Sequence, residues 1–103
     1  MAAAVKDVDP AEAQQLIDDG WRVLDVRTDA EWAEGHIAGS QHVPMAQVVE
    51  DIGDHLDHPV VVVCASGGRS SRVASYLVLQ GLEAVNLDGG LHAWESAGLP
   101  IER

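Results

Sequence analysis

The clearest hydrophobic pattern in the chain is Pro59-Val60-Val61-Val62-Val63, a β-branched run with no polar alternation. Such a run suits a strand covered on both faces, as in a parallel sheet, and it predicts the central strand. From Arg69 to Gln80 the period changes to helical, with Val73, Ala74, Leu77 and Val78 on one side and Arg72, Ser75 and Tyr76 on the other. Leu79 falls off that stripe, and Gly81 ends it. Ala84 to Leu87 reads as a further strand, and Gly90 to Ala97 as a helix that buries Leu91 and Trp94 before Gly98.

The first half repeats the alternation. A short strand is expected at Val5–Val8. Asp9, Pro10 and Glu12 then supply an N-cap, a first-turn proline and a capping box for a helix from Pro10 to Asp19. Its stripe is Ala13, Leu16 and Ile17, and Gly20 suits the left-handed conformation that closes a helix. Trp21 to Val26 predicts a buried strand. Thr28-Asp29-Ala30-Glu31 is a second capping box, opening a short helix that ends near Gly35. A short strand is expected at Gln41–Val43, stopped by Pro44, and a helix at Met45–His55, although Gly53 weakens its end.

Strands alternating with helices across short loops imply right-handed crossovers, hence an α/β fold with a mostly parallel sheet and helices on both faces. Ligands of such sheets bind beyond the carboxyl ends of the strands. Asp25, Cys64 and Asp88 all arrive at that rim.

Length and composition agree with one folded domain spanning residues 1–103. The 47% hydrophobic and 22% charged residues suit a globular chain. The start, Met1-Ala2-Ala3-Ala4-Val5-Lys6, lacks the basic and apolar regions of a signal peptide, and Pro59–Ala65 is far too short to span a membrane. A cytoplasmic protein is expected. One Cys and five scattered His lack the paired spacing of a zinc site, so no metal is expected. The net charge of −11 argues against nucleic acid and anionic membranes as partners. Residues 1–58 carry thirteen acids and three bases, residues 59–103 four and three, an acidity whose plain reading is solubility.

Cys64-Ala65-Ser66-Gly67-Gly68-Arg69-Ser70 joins the central strand to a helix. Two glycines allow a sharp turn, and the N–H groups that open the helix have no intrahelical acceptor. The turn and the helix start together predict an anion cradle with Cys64 at its base. A free thiol with a pKa of ~8.5 is under about a tenth ionised at neutrality, whereas a helix N-terminus and nearby cations lower it to ~3.5–7.5. Cys64 is therefore expected as a thiolate nucleophile. The competing readings are a buried small hydrophobe for Cys64 and a surface ion pair with a nearby acid for Arg69. Glycines, an arginine and a helix start are not needed merely to bury a small side chain.

These residues resemble the rhodanese family. Cys64–Arg69 is similar to its Cys-x-x-Gly-x-Arg loop, Val23-Leu24-Asp25-Val26-Arg27 to its Leu-Asp-Val-Arg strand, Glu34–Ser40 to its Gly-His-Ile-x-Gly segment, and Leu87–Trp94 to its Gly-Gly-x-x-x-Trp terminus. The resemblance runs from Val8 to Pro100. It implies a five-stranded parallel sheet and a sulfurtransferase whose Cys64 takes a sulfane sulfur from a donor such as thiosulfate. The resulting persulfide passes its outer sulfur to a thiophilic acceptor, cyanide or a thiol, and no cofactor is implied. The main-chain N–H groups of Ala65, Ser66, Gly67, Gly68, Arg69 and Ser70 would hold the anionic sulfur, and Arg69 would attract the donor's sulfonate. Gly35, His36 and Gly39 are expected to serve the fold, with His36 bonding to backbone. Asp25 and Arg27 are expected to tie the rim together, with Asp25 bonding to the neighbouring loop, and Trp94 to pack as core. His42, His55, His58 and His92 have no assigned role.

Two other functions fit part of this pattern. A phosphatase or arsenate reductase also combines a loop Cys, backbone N–H groups and an Arg, but with five residues between Cys and Arg, whereas four separate Cys64 and Arg69. That tighter loop suits a single sulfur, and no Asp offers itself as general acid. A persulfide carrier or sensor would hold the sulfur for a protein partner, and kinetics alone separates it from an enzyme.

Overall fold

Val60–Val63 forms a strand in which all four valines are buried, because both of its faces are covered by helices. Val60 and Val62 point into one apolar cluster with Val73, Ala74 and Leu77; Val61 and Val63 point into another with Ala13, Leu91 and Trp94. Each buried valine contributes roughly 1.5 kcal/mol or more relative to an exposed one. The unbroken apolar run at the sequence level is the direct result of this two-sided burial.

The computed structural model describes residues 5–48, 50 and 58–103. Its elements are β1 (Asp7–Val8), α1 (Pro10–Asp18), β2 (Arg22–Asp25), α2 (Asp29–Glu34), β3 (Gln41–His42), β4 (Val60–Val63), α3 (Gly68–Leu79), β5 (Ala84–Leu87) and α4 (Gly90–Ser96). The five strands pair in the order β1-β5-β4-β2-β3, and every pairing is parallel. The α/β class and five-stranded parallel sheet expected from the sequence are those found. Residues 45–48 and 50 are helical, while the remainder of the helix expected at Met45–His55 falls largely outside the described residues.

Both sequence-level capping boxes form. Asp9 accepts from the Glu12 N–H at 2.8 Å, and Thr28 Oγ1 accepts from the Glu31 N–H at 3.3 Å, with each glutamate reaching back to its cap. Leu79, off the stripe of α3, is the exposed large hydrophobe among the described residues, at 62%. Because β4 is central and flanked by β2 and β5, the loop that leaves it has a strand end on either side. Among the described residues, no helix is long and apolar enough to cross a membrane.

Candidate active site

The turn after β4 bends back over its own cysteine. Gly67, the N-cap of α3, has φ +105°, a backbone conformation that a side chain strains. A Cβ there would also come within 3.2 Å of the Gly89 nitrogen. In this conformation the Gly67 N–H points at Cys64 Sγ, 3.0 Å away. The Ser70 hydroxyl, one turn into α3, lies 3.3 Å from the same sulfur.

Cys64 is 1% exposed, deeper than an open rim nucleophile. Burial pushes its thiol up. The Ser70 hydroxyl and the N–H groups of Ser70, Gly67 and Ser66 act the other way and prevail, so the pKa lies below that of an ordinary thiol. Of the amides expected to face inward, the Gly67 N–H is hydrogen-bonded to the sulfur and those of Ser66 and Ser70 act on it, all of them neutral donors.

A second segment fixes the loop from below. Leu91 and His92, at the start of α4, donate their N–H groups to the carbonyls of Cys64 at 2.8 Å and Ala65 at 3.1 Å. This approach is close enough that a Cβ on Gly90 would overlap the Cys64 oxygen and lie 2.6 Å from the Ala65 carbonyl carbon. Gly90 is thus needed for docking on the loop, a role the sequence alone did not assign to it.

Arg69 does not point into the cradle. Its Nη1 and Nη2 donate to Glu31 Oε1 and Oε2 at 2.7 and 2.9 Å. This is the ion pair with a nearby acid that competed with an anion-binding reading, although the guanidinium remains close enough for Cys64 to raise its pKa. Arg72 lies elsewhere, lining a shallow hollow with Met45, Val48, Val73 and Tyr76.

Asp25 departs from its expected partner. It is 1% exposed and bonds within its own segment: the Arg27 N–H reaches Oδ1 at 3.0 Å, and Arg27 Nη2 reaches Oδ2 at 2.8 Å. A buried carboxylate needs a countercharge, and Arg27 supplies it two residues away. It is Arg27 that reaches outward, to the carbonyls of Gly35 at 2.7 Å and Glu31 at 3.2 Å. His36 Nδ1 lies 3.2 Å from the Trp32 carbonyl, the backbone partner expected of it. His42, given no role from sequence, stacks on Trp32 and donates Nε2–H to the Arg27 carbonyl at 2.8 Å. Trp94 packs in the core and donates to the Pro100 carbonyl at 2.9 Å. Asp88 reaches the rim exposed, its N–H bonded to Val8.

Sequence reasoning placed Ser70 at the site for its N–H alone, and missed both its hydroxyl and Asn86. Ser70 Oγ is hydrogen-bonded to Asn86 Oδ1, and Asn86 Nδ2 donates to Asp7 Oδ1 at 2.9 Å. Asn86 was visible as the polar residue in Ala84-Val85-Asn86-Leu87, a strand whose residues are all buried. Beside Ala65 lies a cleft of about 230 Å³, whose wall includes Arg27, Glu31, Glu34, His92 and Glu95. Among the described residues, no cluster of three or more His, Cys, Asp or Glu is placed to hold a metal ion.

The family model of the rhodanese-like domain matches residues 9–97. A relative from Pseudomonas paraeruginosa, the thiosulfate sulfurtransferase GlpE, is 40% identical over 98 residues, covering 93% of this chain and 89% of that protein. Among solved structures, a rhodanese-related protein from Thermoplasma volcanium superposes with a TM-score of 0.88 at 31% identity, covering 94% of this chain and 97% of that one. A protein of unknown function and possible tyrosine phosphatase from Rhodopseudomonas palustris gives 0.86 at 28% identity, covering 95% and 85%. With the matched model spanning the cysteine loop, the strand before it and the glycine pair beneath it, this chain belongs to the rhodanese family.

Proposed function

We propose that this protein is a thiosulfate sulfurtransferase that carries sulfur on Cys64. The observation that supports this most is the sulfur itself: the chain's one cysteine, held below the ordinary thiol pKa by Gly67, Ser66 and Ser70, in a domain 40% identical to a thiosulfate sulfurtransferase.

In the first half-reaction the Cys64 thiolate attacks the outer sulfur of thiosulfate. The S–S bond of the donor breaks, sulfite leaves with the electron pair, and Cys64 becomes a persulfide anion. In the second, cyanide or a thiolate attacks the outer sulfur, and the pair returns to Cys64 Sγ. Charge is conserved in both steps, and no redox partner or cofactor is required. The N–H groups of Ala65, Ser66, Gly67, Gly68, Arg69 and Ser70 form the cradle in which the outer sulfur sits. They act as preorganised dipoles for the charge that moves between the two sulfurs. Arg69 supplies a fixed positive charge beside the loop that favours an anionic donor. A small thiol or a protein thiol serves as acceptor.

Intact mass spectrometry after thiosulfate treatment tests this directly. One added sulfur located on Cys64, lost on addition of cyanide and absent from Cys64→Ser, is the expected result. Failure of Cys64 to gain sulfur, or thiosulfate-to-cyanide transfer by Cys64→Ser near the wild-type rate, overturns it. The likeness to a possible tyrosine phosphatase keeps phosphate-ester hydrolysis as a second reading. Four residues between Cys64 and Arg69 weigh against it, and turnover of a phosphate ester without any of thiosulfate would establish it.

A further inference from the structure

Behind Cys64 the molecule buries a chain of polar side chains that sulfur binding by backbone amides does not require. Ser70 is 0% exposed and Asn86 3%. The Ser70 oxygen lies 3.3 Å from Cys64 Sγ and within hydrogen-bond distance of Asn86 Oδ1. A hydroxyl has one proton to donate, and neither a side-chain carbonyl oxygen nor a thiolate can donate one in return. The two acceptors therefore compete for it. The orientation of the Asn86 amide is fixed from its other end, because Asp7 Oδ1 is 2.9 Å from Nδ2 and a carboxylate takes only donors. The NH₂ group must face Asp7, so the oxygen faces Ser70.

We propose that the Ser70 hydroxyl follows the charge on Cys64, donating to Sγ when the sulfur is a thiolate and to Asn86 Oδ1 when it is neutral, with Asn86 as the positioning residue that keeps the second acceptor available. This rests on the reading of Cys64 as the sulfur carrier. The preference reverses because a hydrogen bond to an ionised acceptor is about twice as strong as one between neutral groups, whereas a disulfide-like sulfur is a weak acceptor. In the persulfide the inner sulfur is neutral and the proton rests on Asn86. When an acceptor thiolate attacks the outer sulfur, the bond from acceptor to outer sulfur forms and the S–S bond breaks. The electron pair collects on Sγ, and the Ser70 hydroxyl rotates to meet it. The products are the acceptor's persulfide anion and the Cys64 thiolate, with the same total charge as the reactants. No proton leaves Ser70; its direction alone changes.

Other charges near this pair are Arg69 on the same helix, Asp7 beyond Asn86, and Asp25 with Arg27 at the end of β2. His92 also lies nearby, its backbone N–H on the Ala65 carbonyl. These groups are common to the variants compared, except where Asp7 itself is changed.

The test is a thiolate titration of Cys64 by ultraviolet absorbance, together with single-turnover sulfur transfer from the loaded enzyme to cyanide. Ser70→Ala is expected to raise the titration midpoint and slow transfer roughly tenfold, the loss of one hydrogen bond to a charged group. Asn86→Leu leaves Sγ as the sole acceptor, and is expected to lower the midpoint in the Ser70 background and to leave it unchanged in the Ser70→Ala background. Asp7→Ala, at an exposed position, frees the Asn86 amide to turn its NH₂ toward Ser70 and is expected to act in the same direction. Its effect is read as the difference between the two backgrounds, which removes the direct influence of the lost charge. Should Asn86→Leu fail to fold, Asp7→Ala decides alone. Equal shifts in both backgrounds, or none in either, overturn the proposal. The titration does not depend on sulfur loading, so this proposal can fail while Cys64 still gains sulfur from thiosulfate.

Discussion

Arg69 and Glu31 meet fork to fork, Nη1 on Oε1 at 2.7 Å and Nη2 on Oε2 at 2.9 Å, joining the first turns of α3 and α2 across 38 residues of chain. The same Glu31 carboxylate accepts the Thr28 N–H at 3.1 Å and so closes the capping box of α2. One side chain thus sets both the start of a helix and the charge beside the cysteine loop. Arg69 holds the Glu31 carboxyl down at about 2, with the Thr28 N–H and hydroxyl adding to the effect against the opposing influence of burial.

This pairing leaves a partly neutralised guanidinium next to Cys64. Glu31→Gln keeps the oxygen that caps α2 but removes the countercharge, so the thiosulfate KM is expected to fall roughly two- to fivefold. Arg69→Ala is expected to move it in the opposite direction by a similar factor, with little change in stability. Steady-state kinetics with thiosulfate and cyanide measure both. A higher KM for Glu31→Gln would mean that the carboxylate positions Arg69 instead of competing with the donor.

The ion pair also has a pH signature. Because the folded Glu31 carboxyl lies near 2, below its ordinary 4.5, the pair stabilises the fold fully above the ordinary value. That contribution is lost as pH falls through the window between the two values. The difference in melting temperature between wild type and Glu31→Gln is expected to stay constant from neutrality to about pH 5 and to shrink from there toward pH 2. Thermal unfolding followed by circular dichroism across this range provides the check.

Asp25 and Arg27 present the opposite case, a pair whose side chains are 1% and 6% exposed. Removing Arg27 leaves a carboxylate buried without its countercharge and frees the carbonyls of Gly35 and Glu31 from their donor. Arg27→Met is therefore expected to cost about 3–5 kcal/mol in urea unfolding. Loss of both charges together, in Asp25→Asn with Arg27→Met, should be milder than the sum of the single changes.

Gly90→Ala tests the docking of α4 beneath the loop. The added methyl group would strike the Cys64 and Ala65 carbonyl groups at a residue whose φ is +59°. A destabilisation of about 1–3 kcal/mol is expected, as for other overpacked sites. Sulfur transfer measured well below the melting transition should fall further than this loss implies, because the displaced backbone is that of the cysteine itself.

Much of this architecture was legible because it is local. Asp9 with Glu12 and Thr28 with Glu31 act within one helical turn, and the valines of β4 report their own burial by their lack of alternation. The inward turn of the Gly67 amide likewise follows from glycines adjacent in sequence. Glu31 with Arg69, Ser70 with Asn86, and Gly90 with Cys64 were not legible, since each joins residues whose approach depends on strand order. Periodicity shows which side of an element is apolar, but it does not tell which polar residue of a distant element will face it. Asp25 and Arg27 do meet at the rim as expected, but the loop partner expected of Asp25 is contacted by Arg27 instead, because the choice depends on how Arg27 turns.

The outermost strands of the sheet, β1 and β3, are two residues long at both margins. A strand so brief offers few unpaired backbone groups to a visiting chain. The four-residue inner strands, rich in valine and inviting to self-association, are shielded by these stubs. The margins of the sheet therefore offer a further strand little backbone to pair with.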